Sequence, residues 1–426
     1  MRSIVLSRGV VKRALRSYTR PDMATLITNI GELVTPIGSE ALRGSAQGAL
    51  DIRNDVEILI EDVTITRVGR RLDRRDSLEI VDAGGGVVLP GFVDAHTHAV
   101  FARSRDEEFL ARATGIPYDG GGILASAAHV AECSEDELVS RSRPFLQRML
   151  AHGTTTAEIK SGYGLSVDGE VKMLRAVRRL AETLPMRLVP TFLGAHAVPE
   201  DTSRDDYLAL LIEEMIPRVK QEALATYCDV FCDRGFFSVD EARAVLVAAR
   251  AAGMRPKLHA DELADTGGAA LAAELRATSA DHLLCSSDRN LRRLAAAGVV
   301  AVLLPGTSFT LDVGYAPARR MVAMEIPVAL ATDFNPGSCP IYSIPVILSL
   351  AVTRLGLSIE EAITAATLNA AAALDLADVV GSIEEGKRAD LLILDLERHQ
   401  QIPYYFAHNP VRKVFSGGEC RAGRDR

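Results

Sequence analysis

The sequence predicts an α/β protein: a TIM-like (β/α)8 barrel with a small accessory β-sandwich domain built from both chain ends. Three observations carry this. Over roughly residues 90–376, eight short apolar strands alternate with amphipathic helical stretches. On both sides of that span the rhythm changes to short strands and turns. The length of 426 residues accommodates a barrel of about 250 residues plus an accessory sheet.

Residues 1–22, "MRSIVLSRGVVKRALRSYTRPD", are Arg-rich with no acid before Asp22. Their apolar runs are too broken for a secretory core, so they are expected to be a disordered leader outside the fold. Met23 opens "MATLITNIGELVTP", a strand and turn. Residues 23–89 are read as the N-terminal part of the accessory domain: "TLITNI", then "DVEILIEDVTITRVG", whose alternation suits an antiparallel pair, then "LEIVDAGGGVVLPG". The barrel, 90–376, has strands ending at "VDAHTH", "TAEIKS", "VPTFLGAH", "CDVFCD", "PKLHAD", "TSADHL", "AVLLPG" and "ALATDFN". Helical patterns such as "SEDELVSRSRPFLQRMLAHG" and "VDGEVKMLRAVRRLAETL" lie between them. In residues 377–426 strands return in "GSIEEGKRADLLILDL" and "PVRKVFSGGECRAG", placed to pair with the first sheet.

Composition narrows the function. With 48% hydrophobic and 24% charged residues, and no apolar run of the ~18 to 20 residues a span needs, membrane insertion is not expected. A formal charge of -8 gives no basic footprint for nucleic acid, which leaves a small molecule or a second copy as partner. The six cysteines include no CxxC and read as free thiols in a reducing compartment, so a cytoplasmic location is expected. The accessory domain and barrel flank leave surface for a homodimer.

A barrel of this kind gathers its chemistry at the carboxyl ends of its strands. In "LPGFVDAHTHAVFARSRDEEF" His96 and His98 stand at i and i+2, on one face of an extended segment. The other strand ends supply Lys160 with Tyr163, His196, His259 with Glu262, His282, and Asp333 with Asn335. Five of the nine histidines fall at strand ends, whereas His129, His152, His399 and His408 are expected at the surface. His96, His98, His259 and Asp333 offer three imidazole nitrogens and one carboxylate. That set suits Zn²⁺ or iron (Fe²⁺/Fe³⁺) and not the oxygen-seeking Ca²⁺ or Mg²⁺. Such an ion is a hydrolytic one.

"PGFVDAHTH", "HAD" and "TDFNPGS" together resemble the amidohydrolase superfamily. The segments "HTHAVFARSRDEEF", "TTTAEIKSGYGL", "TFLGAHAVP", "KLHADEL", "SADHL" and "ATDFNPGSCP" resemble, within it, the branch that hydrolyses 4-imidazolone-5-propanoate to N-formimidoyl-L-glutamate in histidine degradation. The likeness runs from about Met23 to the C-terminus. It implies one metal ion per subunit on His96, His98, His259 and Asp333. It implies substrate contacts from Arg105, Tyr163, His196, Glu262, Asn335, Gly337 and Ser338, and catalytic proton transfer among Asp333, His282 and Glu262. The chemistry agrees, because a guanidinium takes the substrate's propionate bidentately. The bland alternative for Arg105 is a surface ion pair with Asp106 or Glu107. Lys160 ends strand two, while the carboxylated lysine that bridges two metals in other members belongs to strand four, so Lys160 is read as structural or an ion-pair partner. The "GIPYDG" segment, 115–120, is shorter than the branch's usual helical stretch. The alternatives are a related deaminase or cyclic amide or amidine hydrolase, and a non-catalytic barrel scaffold.

Overall fold

The computed structural model describes residues 24–74, 78–115 and 122–423. The expected leader and all but the first residue of the "GIPYDG" loop lie outside them. Ahead of the barrel come β1 Ala24–Thr28, β2 Glu32–Thr35, β3 Asp51–Arg53, β4 Glu57–Glu61, β5 Thr64–Gly69, β6 Leu78–Asp82 and β7 Val87–Pro90. The barrel strands are β8 Phe92–Asp94, β9 Thr154–Lys160, β10 Arg187–Ala195, β11 Tyr227–Cys232, β12 Arg255–Ala260, β13 Ser279–His282, β14 Val300–Leu303 and β15 Val328–Leu330. After them follow β16 Leu391–Leu394, β17 Val411–Ser416 and β18 Glu419–Gly423.

Strands β8 to β15 form one parallel sheet in sequence order, and each predicted barrel strand is present. Parallel strands buried on both faces read as continuous apolar runs, as in the fully buried "VAVL" of β14. The sheet closes just beyond its first and last strands, where Thr97 bridges Phe334 in parallel. There His98 N–H donates to Phe334 O (2.8 Å) and Asp333 N–H to His96 O (3.0 Å). Closure therefore brings the two histidines past the first barrel strand beside the aspartate past the last. The two quoted helical patterns form α-helices over Glu135–Ala151 and Val167–Thr183. The first begins at a Ser134/Glu137 capping box, and the second at Ser166, whose hydroxyl accepts from Gly169 N–H.

The accessory domain is two sheets, β5-β4-β1-β6 and β18-β17-β16-β7-β2-β3, the second assembled from both chain ends. Residues of period two divide the six-stranded sheet between two cores. Val88, Leu391, Ile393 and Phe415 pack with Ile27, Ile58 and Ile60 of the four-stranded sheet. Val87, Leu89, Leu392 and Leu394 join the main core around the barrel. The six-stranded sheet is thus covered on both faces, which fixes the sandwich to the barrel.

Two expectations are corrected. Of "GSIEEGKRADLLILDL" only Leu391–Leu394 is strand. The stretch before it is organised in turns by the Lys387 ammonium, which donates to Ala377 O (2.7 Å) and Ser382 Oγ (2.6 Å). His399, expected at the surface, is 1% exposed. Its backbone N–H and ring Nδ1 both reach Glu32 Oε2, at 2.8 and 3.0 Å, so a half-buried carboxylate partner compensates the desolvated ring.

Candidate metal centre and active site

His96 and His98 flank the bridging Thr97 just past β8, His259 lies on β12, and Asp333 follows β15. All four are at most 3% exposed. The ligating nitrogens of His96, His98 and His259 lie within 4.8 Å of one another. Asp333 Oδ1 is 3.5 Å from His96 Nε2 and 3.7 Å from His98 Nε2, and His259 Nε2 is 3.4 Å from His98 Nε2. Two of the three tautomers are set from behind, because His96 Nδ1 pairs with Asp281 Oδ2 (2.6 Å) and His259 Nδ1 with Asp229 Oδ2 (2.9 Å). In His96 and His259 the proton stays on Nδ1, which leaves the Nε2 lone pair facing the cluster. His96 Nε2 is buried with no hydrogen-bond partner. Burial first, then nearby cations, holds the His96 ring well below the usual imidazole range. Converging imidazole nitrogens beside a carboxylate fit a metal cation.

The remaining ligand is held under strain. Asp333 has φ 54 and His282 φ 74, left-handed values that cost about 1–3 kcal/mol in a non-glycine residue and cluster at functional sites. Thr307 Oγ1 donates to Asp333 Oδ2 (2.5 Å), leaving Oδ1 for the cluster. Burial pushes the Asp333 carboxyl up to about 6.

Beyond these residues opens a pocket lined by His98, Arg105, Ile123, Tyr163, His196, Phe231, Phe236, His259, Glu262, Leu263, His282, Asp333, Asn335 and Ser338. Arg105 is 7% exposed. Its Nε donates to Glu108 Oε2 (2.8 Å) and its Nη1 to Ser126 Oγ (2.7 Å), so its carboxylate partner is Glu108 rather than Asp106 or Glu107. Its guanidinium also lies 5.9 Å from the Tyr163 ring centre. A Cβ at Gly122 or Gly337 would fall 2.5 Å from Arg105 Nε, so both glycines leave room for the guanidinium. Gly337 acts there, behind Arg105, rather than on the pocket wall. Asn335 folds the turn that carries it, accepting from Gly337 N–H (2.9 Å) and donating to Ser338 Oγ (2.8 Å).

The aromatic wall is tied to the same framework. His196 stacks on His98 with ring centres 5.1 Å apart. Its Nδ1 donates to Gly162 O (2.9 Å), and burial lowers its pKa to about 3, so the ring is neutral. The fully buried Glu170 accepts from Gly162, Gly164 and Leu165 N–H at 3.0, 2.7 and 3.0 Å, which fixes the loop presenting Tyr163. Glu262 Oε1 lies 3.5 Å from His282 Nδ1. Burial, followed by the Asp333 and Asp233 charges, pushes the Glu262 carboxyl up to about 8. His282, by contrast, is lowered well below its ordinary value, by burial first. One pocket thus places a carboxyl group whose acid form is favoured 3.5 Å from an imidazole whose neutral form is favoured.

Comparison with known proteins agrees with this geometry. Residues 87–421 match the Amidohydrolase family. Imidazolonepropionase of Geobacillus kaustophilus (strain HTA426) is 46% identical over 404 residues, 91% of this chain and 95% of that one. Imidazolonepropionase of Symbiobacterium thermophilum is 47% identical over 411 residues, 92% of this chain and 96% of that one. The chain belongs to the imidazolonepropionase family of amidohydrolases. Among solved structures it shares the fold of an E. coli guanine deaminase, with TM-score 0.73 and 15% identity over 94% of this chain and 99% of that one.

For this member of the imidazolonepropionase family, sequence reasoning named the polar residues of the pocket and missed what stands behind and between them. Ile123, Phe231, Phe236 and Leu263 supply its apolar wall. Glu158, Asp229, Lys257 and Asp281, all 0% exposed, sit beneath the metal ligands together with Lys160. Their signal was available: each is a charged residue inside a predicted barrel strand, where an unpaired buried charge is not tolerated. Lys160 is an ion-pair partner here, 2.7 Å from Asp229, 3.1 Å from Glu158 and 3.2 Å from Asp281. Burial opposes its charge, and those carboxylates outweigh burial to hold the ammonium above the ordinary lysine range.

Proposed function

We propose that the chain hydrolyses 4-imidazolone-5-propanoate to N-formimidoyl-L-glutamate, the imidazolonepropionase step of histidine degradation. It is a hydrolase of a cyclic C–N bond. The observation that carries the substrate is Arg105: a buried guanidinium on the wall of the same pocket as the three-histidine, one-aspartate cluster, matching an anionic substrate whose neutral ring must reach that cluster.

In this reading Arg105 binds the propionate, and Tyr163 and His196 hold the ring against the metal site, with Asn335 and Ser338 lining the same pocket. His96, His98, His259 and Asp333 would hold one zinc or iron ion, which would supply Lewis acidity and lower the pKa of water at the site. The neutral His282 accepts the proton of the attacking water, while Asp333 orients that water toward the ring carbonyl carbon. Glu262, in its acid form, donates to the ring nitrogen as the C–N bond opens, leaving a carboxylate and a formimidoyl group. His282 Nδ1 faces Glu262 Oε1 at 3.5 Å, and an approach to hydrogen-bond distance lets it return its proton to Glu262. Phe231 and Phe236, stacked 3.9 Å apart, border the site with apolar surface. The six unpaired thiols support a cytoplasmic enzyme, and we propose a homodimer.

The test is incubation of the purified, metal-loaded chain with 4-imidazolone-5-propanoate. Formation of N-formimidoyl-L-glutamate supports the reading. No turnover of this compound, with free ammonia released instead from a purine or pyrimidine base, would replace it with a deaminase.

A further inference from the structure

Beneath the metal ligands lies a second group with metal-like spacing: His96, Glu158 and Asp281 also bring ligand atoms within 4.8 Å of one another. The chain has placed its own cation there. Lys160 Nζ stands 2.7 Å from Asp229 Oδ2, 3.1 Å from Glu158 Oε2 and 3.2 Å from Asp281 Oδ2, so three ammonium protons face three carboxylates. Two of those oxygens are the ones that pair with ligand imidazoles: Asp229 Oδ2 with His259 Nδ1, and Asp281 Oδ2 with His96 Nδ1. One ammonium therefore joins the two carboxylates that orient two of the three histidines.

Lys257 provides the contrast. It is equally buried and belongs to the same cluster. Its Nζ reaches Glu158 Oε2 (2.7 Å) and Ala95 O (3.3 Å) and lies 5.3 Å from the Tyr227 ring centre. Neither of those partners pairs with a ligand imidazole.

We propose that Lys160 is a positioning residue that occupies the place of a second cation, clamping Asp229 and Asp281 so that His259 and His96 are aimed before any ion binds. The inference rests on reading His96, His98, His259 and Asp333 as the metal site. Without the ammonium, two carboxylates and Glu158 would repel one another at the base of the barrel, and the imidazoles they carry would lose their fixed direction.

The experiment is a zinc titration of the full-length chain in competition with a chromogenic chelator, native protein first. Lys160→Met should weaken zinc binding by about 10–100-fold, the usual cost of removing an outer-shell partner. Lys257→Met should leave zinc affinity unchanged although it also removes a buried charge. If Lys160→Met does not fold, the native protein serves: the ¹⁵Nζ resonance of Lys160 should move on zinc addition while that of Lys257 stays. Native-like affinity in Lys160→Met, equal losses in both variants, or an unmoved Lys160 resonance would overturn the proposal. A native chain that binds no zinc and no iron would instead remove the metal reading itself, and this inference with it.

Discussion

Gly337→Ala tests how the carboxylate anchor is held, without touching it. Gly337 has an ordinary negative-φ or extended backbone, so alanine brings no backbone strain. The new Cβ would stand 2.5 Å from Arg105 Nε and closer still to Nη2, while ordinary contact begins near 3.4 Å. The guanidinium must retreat by about 1 Å, and its bonds to Glu108 (2.8 Å) and Ser126 (2.7 Å) must stretch or break. A misplacement of about 1 Å in a positioning group costs on the order of 10²-fold. Steady-state kinetics on 4-imidazolone-5-propanoate should therefore show kcat/KM lower by about two powers of ten, with metal content unchanged. Arg105→Ala alone should lose roughly one to two powers of ten, from a charge-assisted contact of about 1.5–3 kcal/mol. Adding Gly337→Ala to Arg105→Ala should then change little, because the clash is gone. Native-like kinetics in Gly337→Ala, or a full second loss in the double variant, would refute the assignment of Arg105 as anchor.

Other consequences follow from the same geometry. Glu262 has a folded pKa raised from 4.5 to about 8, so between those values the folded chain keeps a proton the unfolded chain has released. Its contribution to stability is full below about 4.5 and lost as pH rises through about 8, and turnover that uses the acid form falls across the same upper limit. Glu262→Gln keeps the uncharged shape, so urea unfolding at several pH values should show a flatter profile, and kcat should drop about 10²–10⁴-fold at constant metal content. Thr307→Val removes the 2.5 Å bond to Asp333 Oδ2 and should weaken zinc about 10–100-fold by chelator competition. His399→Ala leaves the Glu32 carboxylate without its ring partner and should cost about 1–3 kcal/mol of stability by denaturant unfolding, with unchanged kcat in the folded fraction. Chelation should abolish turnover and lower the melting temperature, with both restored by one equivalent of zinc or iron.

The fold was legible wherever a pattern was uninterrupted. Parallel strands buried on both faces announce themselves as apolar runs, and the residues just past them form the site, which is how His96, His259 and Asp333 could be named from the chain alone. What escaped reading depends on contacts between distant segments. His399 is polar in a loop, and only the folded chain puts Glu32 against it. The partner of Arg105 is Glu108, one helical turn onward, because the arginine precedes the helix Asp106–Ala113 and faces back over its first turn. The strand extent around Gly381–Asp390 was misjudged because Lys387 organises that stretch through bonds that no periodicity encodes. The five buried charges under the metal site were visible as charged residues within barrel strands, but their pairing is a matter of barrel geometry.

The most direct measurement of the proposed site is a crystal structure of the metal-loaded chain with N-formimidoyl-L-glutamate, with diffraction recorded at the metal absorption edge. The account predicts one anomalous peak per chain, bonded to His96, His98 and His259 through Nε2 and to Asp333 through Oδ1, with the product's side-chain carboxylate on the Arg105 guanidinium. Two peaks per chain, a peak bonded elsewhere, or a product carboxylate away from Arg105 would contradict it.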